Sequence, residues 1–264
     1  MTTVALLAAV ATASCGSRPT VTPTPAAAGG QATAPAGLER FYDQEISWYP
    51  CGEKNGMQEA GADTGPGTYS CARVTVPLSY DEPDGAAIEL ALKRRSATGT
   101  SIGSLFVDPG GPGGSGVNLV ESVEDYFSDD LLESYDVVGF DPRGVSSSTA
   151  VDCLTDAELD AQRSGEGTEQ VTRKTPAAEA RADVTERATT LEGKCEASTT
   201  TQGLLDHIDT ISAARDLDVL RAVVGDDALS YLGYSYGTYL GATYADLFPG
   251  NVGRMVLDGA VDPT

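Results

Sequence analysis

The tightest constraint on this chain is the run Leu229-Ser230-Tyr231-Leu232-Gly233-Tyr234-Ser235-Tyr236-Gly237. An apolar stretch of strand composition enters Gly-x-Ser-x-Gly, and small residues recur at Gly237 and Gly241, one helical turn apart. Glycines two before and two after a serine are needed where the backbone turns sharply from a strand into a helix. The tip residue of such a turn is held clear of the sheet. Ser235 is therefore a candidate nucleophile, a hydroxyl that becomes reactive once a base takes its proton. The pentapeptide alone is common; the strand before it and the small-residue helix after it give it weight.

A second glycine-rich element lies upstream. Ser104-Leu105-Phe106-Val107 reads as a short buried strand running into Asp108-Pro109-Gly110-Gly111-Pro112-Gly113-Gly114-Ser115-Gly116. Acyl transfer builds negative charge on a former carbonyl oxygen, which two pre-aimed backbone N–H groups stabilise. Tyr236 is expected to supply one of them. Gly111 is the first candidate for the other and Gly110 the second. The same loop matches the dinucleotide fingerprint Gly-x-Gly-x-x-Gly over residues 111–116,. That fingerprint expects an acidic residue closing the next strand, about twenty residues on. Asp136 opens the strand instead, Asp141 closes it a little later, and a dinucleotide site leaves the serine turn unexplained. The acyl-transfer reading is preferred.

The rest of the chain alternates strands and helices. Arg73 to Val76 and Ile88 to Leu92 read as a hairpin across the turn-rich residues 77–85,. A helix is expected over 117–132, a buried strand over 135–141 closing in Asp141-Pro142-Arg143-Gly144, and a polar helical insertion over about 145–205. An amphipathic helix follows over 208–224, with Ile211, Ala214, Leu217, Leu220 and Val224 near one face,. Then come a strand at 229–232, a helix at 235–248 and a last strand at 255–257. This pattern predicts an α/β fold, a mostly parallel sheet with helices on both faces, cut short after about the sixth strand.

The front of the chain has a different character. Val4 to Ala11 is apolar but far too short to span a bilayer, and leads through Thr12-Ala13-Ser14 to Cys15,. Residues 1–15 thus predict an export signal resembling a bacterial lipobox, with Cys15 lipidated. No Lys or Arg precedes the apolar run and Thr12 departs from the usual aliphatic residue, so an ordinary secretory signal is the alternative. Residues 16–37, rich in Pro, Thr, Ala and Gly, bury too little apolar surface to fold and predict a flexible tether,. The protein is accordingly expected outside the cell or on its surface, touching membrane only through a lipid anchor. Export favours disulfides among Cys51, Cys71, Cys153 and Cys195,. Three pairings are possible; local order favours Cys51 with Cys71 and Cys153 with Cys195. Their spacing does not suit a metal site. A net charge of −22, from 39 acidic and 17 basic residues, argues against nucleic-acid partners,.

Taken together, Asp108 to Gly116, Asp136-Val137-Val138-Gly139-Phe140-Asp141-Pro142-Arg143-Gly144, Ala214-Arg215-Asp216-Leu217-Asp218-Val219-Leu220-Arg221, Tyr231 to Gly241 and Arg254-Met255-Val256-Leu257-Asp258-Gly259 resemble the tripeptidyl-aminopeptidase-like branch of the proline-iminopeptidase group of serine peptidases. The resemblance runs from about Trp48 to the last residue. It implies the α/β-hydrolase fold, Ser235 as nucleophile, Gly111 and Tyr236 as oxyanion donors, peptide as substrate, and no cofactor. Members resemble exported exopeptidases acting on free N-termini.

In this fold the order is serine, then acid, then histidine. The one histidine, His207, precedes Ser235 and reads as a surface residue at a helix start rather than the base. Asp258 and Asp262 read as shaping the loop after the last strand, and Arg143 as tying loops together more than as a carboxylate binder. The expectation is therefore an N-terminal portion, residues 38–264 of a hydrolase domain, inactive without an acid and histidine from further sequence. An esterase of the same fold and a non-catalytic surface protein are the alternatives.

Overall fold

The computed structural model describes residues 34–61, 65–165 and 176–262; the export segment, Cys15 and most of the tether lie outside them. Seven strands form one sheet in the order β1-β2-β3-β5-β4-β6-β7. They are β1 (Tyr49–Pro50), β2 (Tyr69–Pro77), β3 (Ala87–Arg95), β4 (Ser104–Asp108), β5 (Asp136–Phe140), β6 (Leu229–Tyr234) and β7 (Val252–Asp258). The leading hairpin β2–β3 is longer than its apolar centre suggested and lies antiparallel to β5. Strands β5, β4, β6 and β7 run parallel. The additional strand, β1, is a two-residue pairing with β2 that no periodicity could reveal.

All five residues of β4 are buried, as a strand covered on both faces requires,. Its side chains alternate. Phe106 joins Val138, Phe140 and Tyr231 against Leu217, Leu220, Leu240 and Tyr244 on one face. Leu105 and Val107 join Val137 against Val120, Val123 and Leu132 on the other. The first face is covered by α1 (Glu39–Tyr42), α7 (Thr210–Val223) and α8 (Tyr236–Leu247), the second by α2 (Gly116–Val120), α3 (Val123–Tyr126) and α4 (Asp129–Ser134).

Three short helices stand where one was expected over 117–132. Phe127 is extended, and Ser128 caps a new helix by accepting from the Leu131 N–H. A Ser-Asp-Asp start signal inside the apolar pattern decided the break. Helix α7 also differs from expectation: Ile211 is half exposed, whereas Asp216, Asp218 and Arg221 are buried. The helix is sandwiched between the sheet and the N-terminal segment, so its polar residues find partners instead of water. Asp218 accepts from Tyr42, Arg221, Tyr244 and Asn251, joining α1, α7 and the segment after α8.

Within the expected insertion, residues 144–150 belong to the body. Gly144 bridges Ala150, and the Thr149 N–H donates to the Glu89 carbonyl. The helical part is α5 (Asp156–Ser164) and α6 (Ala177–Ser198), neither with a buried residue. Cys153 pairs with Cys195 and ties both helices down; Cys51 pairs with Cys71 beside β1 and β2. Closing loops with sequence separations of 20 and 42 restricts the unfolded chain by about 3 and about 4 kcal/mol in the loop-entropy picture,. No helix among the described residues is long and apolar enough to cross a membrane.

Candidate active site

Strand order dictates where a site can form. β4 lies between β5 and β6, so the chain leaves β4 first to one side and later returns to the other. The carboxyl ends of β4 and β6 then border a crevice where successive connections diverge, the usual ligand site of open α/β sheets. Register brings the two ends level, with Asp108 paired to Gly233.

Ser235 follows β6 and precedes α8, with φ of 51° and ψ of −118°. A non-glycine residue in that region costs on the order of 1–3 kcal/mol and persists only where its surroundings hold it. Here the Ser235 N–H donates to the Asp258 carbonyl at 2.9 Å, while Thr238 donates both its N–H and its Oγ1 proton to the Ser235 carbonyl. The flanking glycines are obligatory. A Cβ on Gly233 would stand 2.4 Å from the Gly237 carbonyl oxygen, and one on Gly237 2.8 Å from Asp108 Oδ1. Gly241 lets α8 approach the sheet, where a Cβ would meet Leu257 at 2.7 Å and Tyr231 at 2.8 Å. Ser235 itself is exposed.

The glycine loop lies directly on this turn. A Cβ on Gly110, whose φ is +83°, would fall 2.3 Å from the Tyr234 carbonyl oxygen and 2.9 Å from the Tyr236 nitrogen. Of the two candidate loop donors, Gly110 is already committed, its N–H donating to Asp108 Oδ1 at 2.7 Å. Among the described residues neither the Gly111 N–H nor the Tyr236 N–H has an acceptor. For Tyr236 this follows from its place in the first turn of a helix, where N–H groups have no intrahelical partner,. The Tyr236 hydroxyl is anchored on Thr210 at 2.6 Å. Behind the loop is a cavity of about 300 Å³, lined in part by Asp108, Pro112, Val145, Ile208, Tyr236 and Leu240.

Arg143 faces the same cavity but has nothing left to offer a ligand. Its five N–H groups reach Asp216 twice and the carbonyls of Pro77, Leu78 and His207. The Asp216 charge raises its pKa against the effect of burial, so it stays a cation and clamps three segments. His207 serves that clamp through its backbone, and no hydrogen bond joins its imidazole to Ser235 among the described residues. Asp258 contributes its carbonyl to the serine turn, and its side chain is exposed beside Tyr234.

The dinucleotide alternative fails on the same grounds of prior commitment. Asp141 is fully buried and accepts from Ser115 Oγ, from the Val117 N–H at the start of α2, and from the Ser147 N–H. A carboxylate thus already occupies the helix start where a pyrophosphate would bind. Asp136 accepts from the Ala97 N–H. The glycines serve packing: a Cβ on Gly116 would lie 2.2 Å from the Phe140 carbonyl oxygen.

Asp108 is the residue that sequence reasoning passed over. It is only 2 % exposed, and burial pushes its carboxyl up to about 6, the Gly110 N–H offsetting part of that rise. An acidic residue directly after the apolar run Leu105-Phe106-Val107 was the available signal.

The sequence pattern that defines the alpha/beta hydrolase fold family matches residues 104–264, which include the glycine loop, the serine turn and β7. The chain belongs to that family. Among relatives of this chain, serine protease Hip1 of Mycobacterium tuberculosis is 41% identical over 221 residues, covering 83% of this chain and 40% of that protein. The tripeptidyl aminopeptidase of Streptomyces lividans is 39% identical over 205 residues, 75% of this chain and 36% of its own. Carboxylesterase B of Mycobacterium tuberculosis is 40% identical over 214 residues, 79% of this chain and 39% of its own. The chain therefore spans about two fifths of the length of the curated relatives it matches.

Proposed function

We propose that this hydrolase carries the nucleophile and the oxyanion site of an exported serine exopeptidase that releases short peptides from free N-termini. The supporting observation is one piece of geometry: an exposed serine at a strained tip, the glycine loop packed on that turn through Gly110, and Gly111 and Tyr236 N–H groups with no acceptor among the described residues. Ser235 Oγ attacks the scissile carbonyl while a base takes its proton. The carbonyl oxygen, now negative, is held by the Gly111 and Tyr236 N–H groups. Collapse of the tetrahedral species expels the amine, which takes up that proton, and water then releases the acyl group from Ser235. Base and acid are assigned to the part of the relatives that this chain does not span. The chain alone is expected to retain only the residual catalysis of binding and oxyanion stabilisation, several orders of magnitude down.

The exopeptidase assignment draws on the two peptidase-named relatives, and export with lipidation at Cys15 draws on the sequence and on two disulfides compatible with an extracellular site. The test uses the protein as its source produces it, with tripeptide amides bearing free or acetylated N-termini and a p-nitrophenyl ester. Preference for the free amine by 100-fold or more is expected. Equal rates on both amides overturn the exopeptidase reading. Turnover of the ester alone favours the esterase reading, which the carboxylesterase-named relative keeps open. Mass spectrometry of the mature N-terminus reads the Cys15 proposal: an unmodified start at any other residue refutes it.

A further inference from the structure

We propose that Asp108 is a positioning residue for the oxyanion site, its carboxylate holding the Gly110 amide so that the adjoining Gly111 amide is left for substrate. The inference rests on the acyl-transfer role of Ser235 and deepens it. The Asp108 carboxylate touches both walls that carry the proposed donors. It accepts the Gly110 N–H at 2.7 Å on the loop side. On the α8 side, Oδ1 fills the space next to Gly237, where a Cβ would stand 2.8 Å away. Gly110 in turn lies against the Tyr236 nitrogen, so this one carboxylate sets the distance between loop and helix start.

Stability alone gives no reason for the residue. Among the described residues Asp108 has no ion-pair partner, and a buried charge without one is costly,. The groups around it are Tyr231 on β6 and Tyr236 on α8, both of which feel its charge, and Arg143, which lines the same cavity but is spent on Asp216. Two N–H groups compete for one developing charge only if the loop is free to rotate. With the Gly110 amide turned inward onto Asp108, and the Gly114 N–H closing the loop onto the Gly110 carbonyl, that freedom is gone.

Asp108→Ala, Asp108→Asn and Asp108→Glu in the protein as its source produces it separate positioning from bulk stability. Asp108→Ala and Asp108→Glu, which remove or displace the acceptor, are expected to lower kcat by 30-fold or more with KM within about twofold. Asp108→Asn, which keeps an acceptor in place, restores kcat to within about threefold. A fall in Asp108→Asn as deep as in Asp108→Glu overturns the proposal, as does unchanged kcat in Asp108→Glu. Ser235→Ala is run alongside: retained activity there means that the nucleophile assignment has failed, a different outcome. On this chain itself, the Gly110 amide proton shift should titrate with an inflection near 6 and lose it in Asp108→Asn. A flat Gly110 shift in the wild type refutes the bond and the proposal with it, even if Asp108→Ala does not fold.

Discussion

Replacing Asp108 by Asn should make the protein more stable at neutral pH and not at acid pH. In the folded chain the carboxyl titrates at about 6 against an ordinary 3.8, because burial disfavours its charged form. A raised carboxyl binds its proton more tightly when folded. Its favourable contribution is therefore complete below pH 3.8 and is lost as pH climbs through 6, leaving a deficit of roughly 3 kcal/mol at pH 8,. Asparagine keeps the acceptor for Gly110 and has no charge to bury. Urea unfolding of this chain and of Asp108→Asn at pH 4, 6 and 8 measures the difference directly. The advantage of the variant should grow by about 2.5 kcal/mol between pH 4 and pH 8, most of it by pH 6. An advantage independent of pH, or one that shrinks as pH rises, refutes the assignment of a desolvated, unpaired carboxylate.

Three other expectations rest on different contacts. Arg143→Met leaves Asp216 buried without its cation and should cost about 3–5 kcal/mol by denaturant unfolding, a penalty that adding Asp216→Leu should largely remove,. Gly110→Ala forces a Cβ to 2.3 Å from the Tyr234 carbonyl oxygen at a φ of +83°; it should lower fluorophosphonate labelling of Ser235 by at least tenfold, and an unchanged rate would contradict the loop placement. Cys153→Ser with Cys195→Ser should leave the near-UV circular dichroism of the body unchanged while tryptic cleavage at Arg187 and Lys194 accelerates, since α5 and α6 bury nothing.

What the sequence revealed follows the range of the forces involved. The serine turn and the strands beside it were legible because their requirements are local: absent Cβ atoms at Gly233 and Gly237, and short, mostly apolar runs at 104–107 and 229–232. Both disulfides joined the pairs that local order favoured. Features set by distant partners were not legible. The five N–H groups of Arg143 are consumed by residues on three separate segments, and nothing near Arg143 announces them. Ile211 fits an apolar helical face but lies where α7 meets solvent, while Asp216 and Asp218, which no periodicity would bury, are inside because Arg143, Tyr42 and Tyr244 are waiting there. Sequence alone ranks Gly111 before Gly110, but the hydrogen bond from the Gly110 N–H to Asp108 was not legible there.

The helical pair α5 and α6 has a calorimetric consequence. α6 is the longest helix described, yet neither helix buries a side chain, so melting the pair exposes almost no apolar surface. Heat capacity rises on unfolding with apolar exposure, so that melting leaves it nearly flat. Far-UV ellipticity, which counts helical residues wherever they lie, would register the same event as a large loss. A temperature scan followed by both methods should therefore show ellipticity falling before the calorimetric transition begins. The interval between the two would measure how far the Cys153–Cys195 disulfide and the Lys194–Glu158 ion pair keep this appendage folded,.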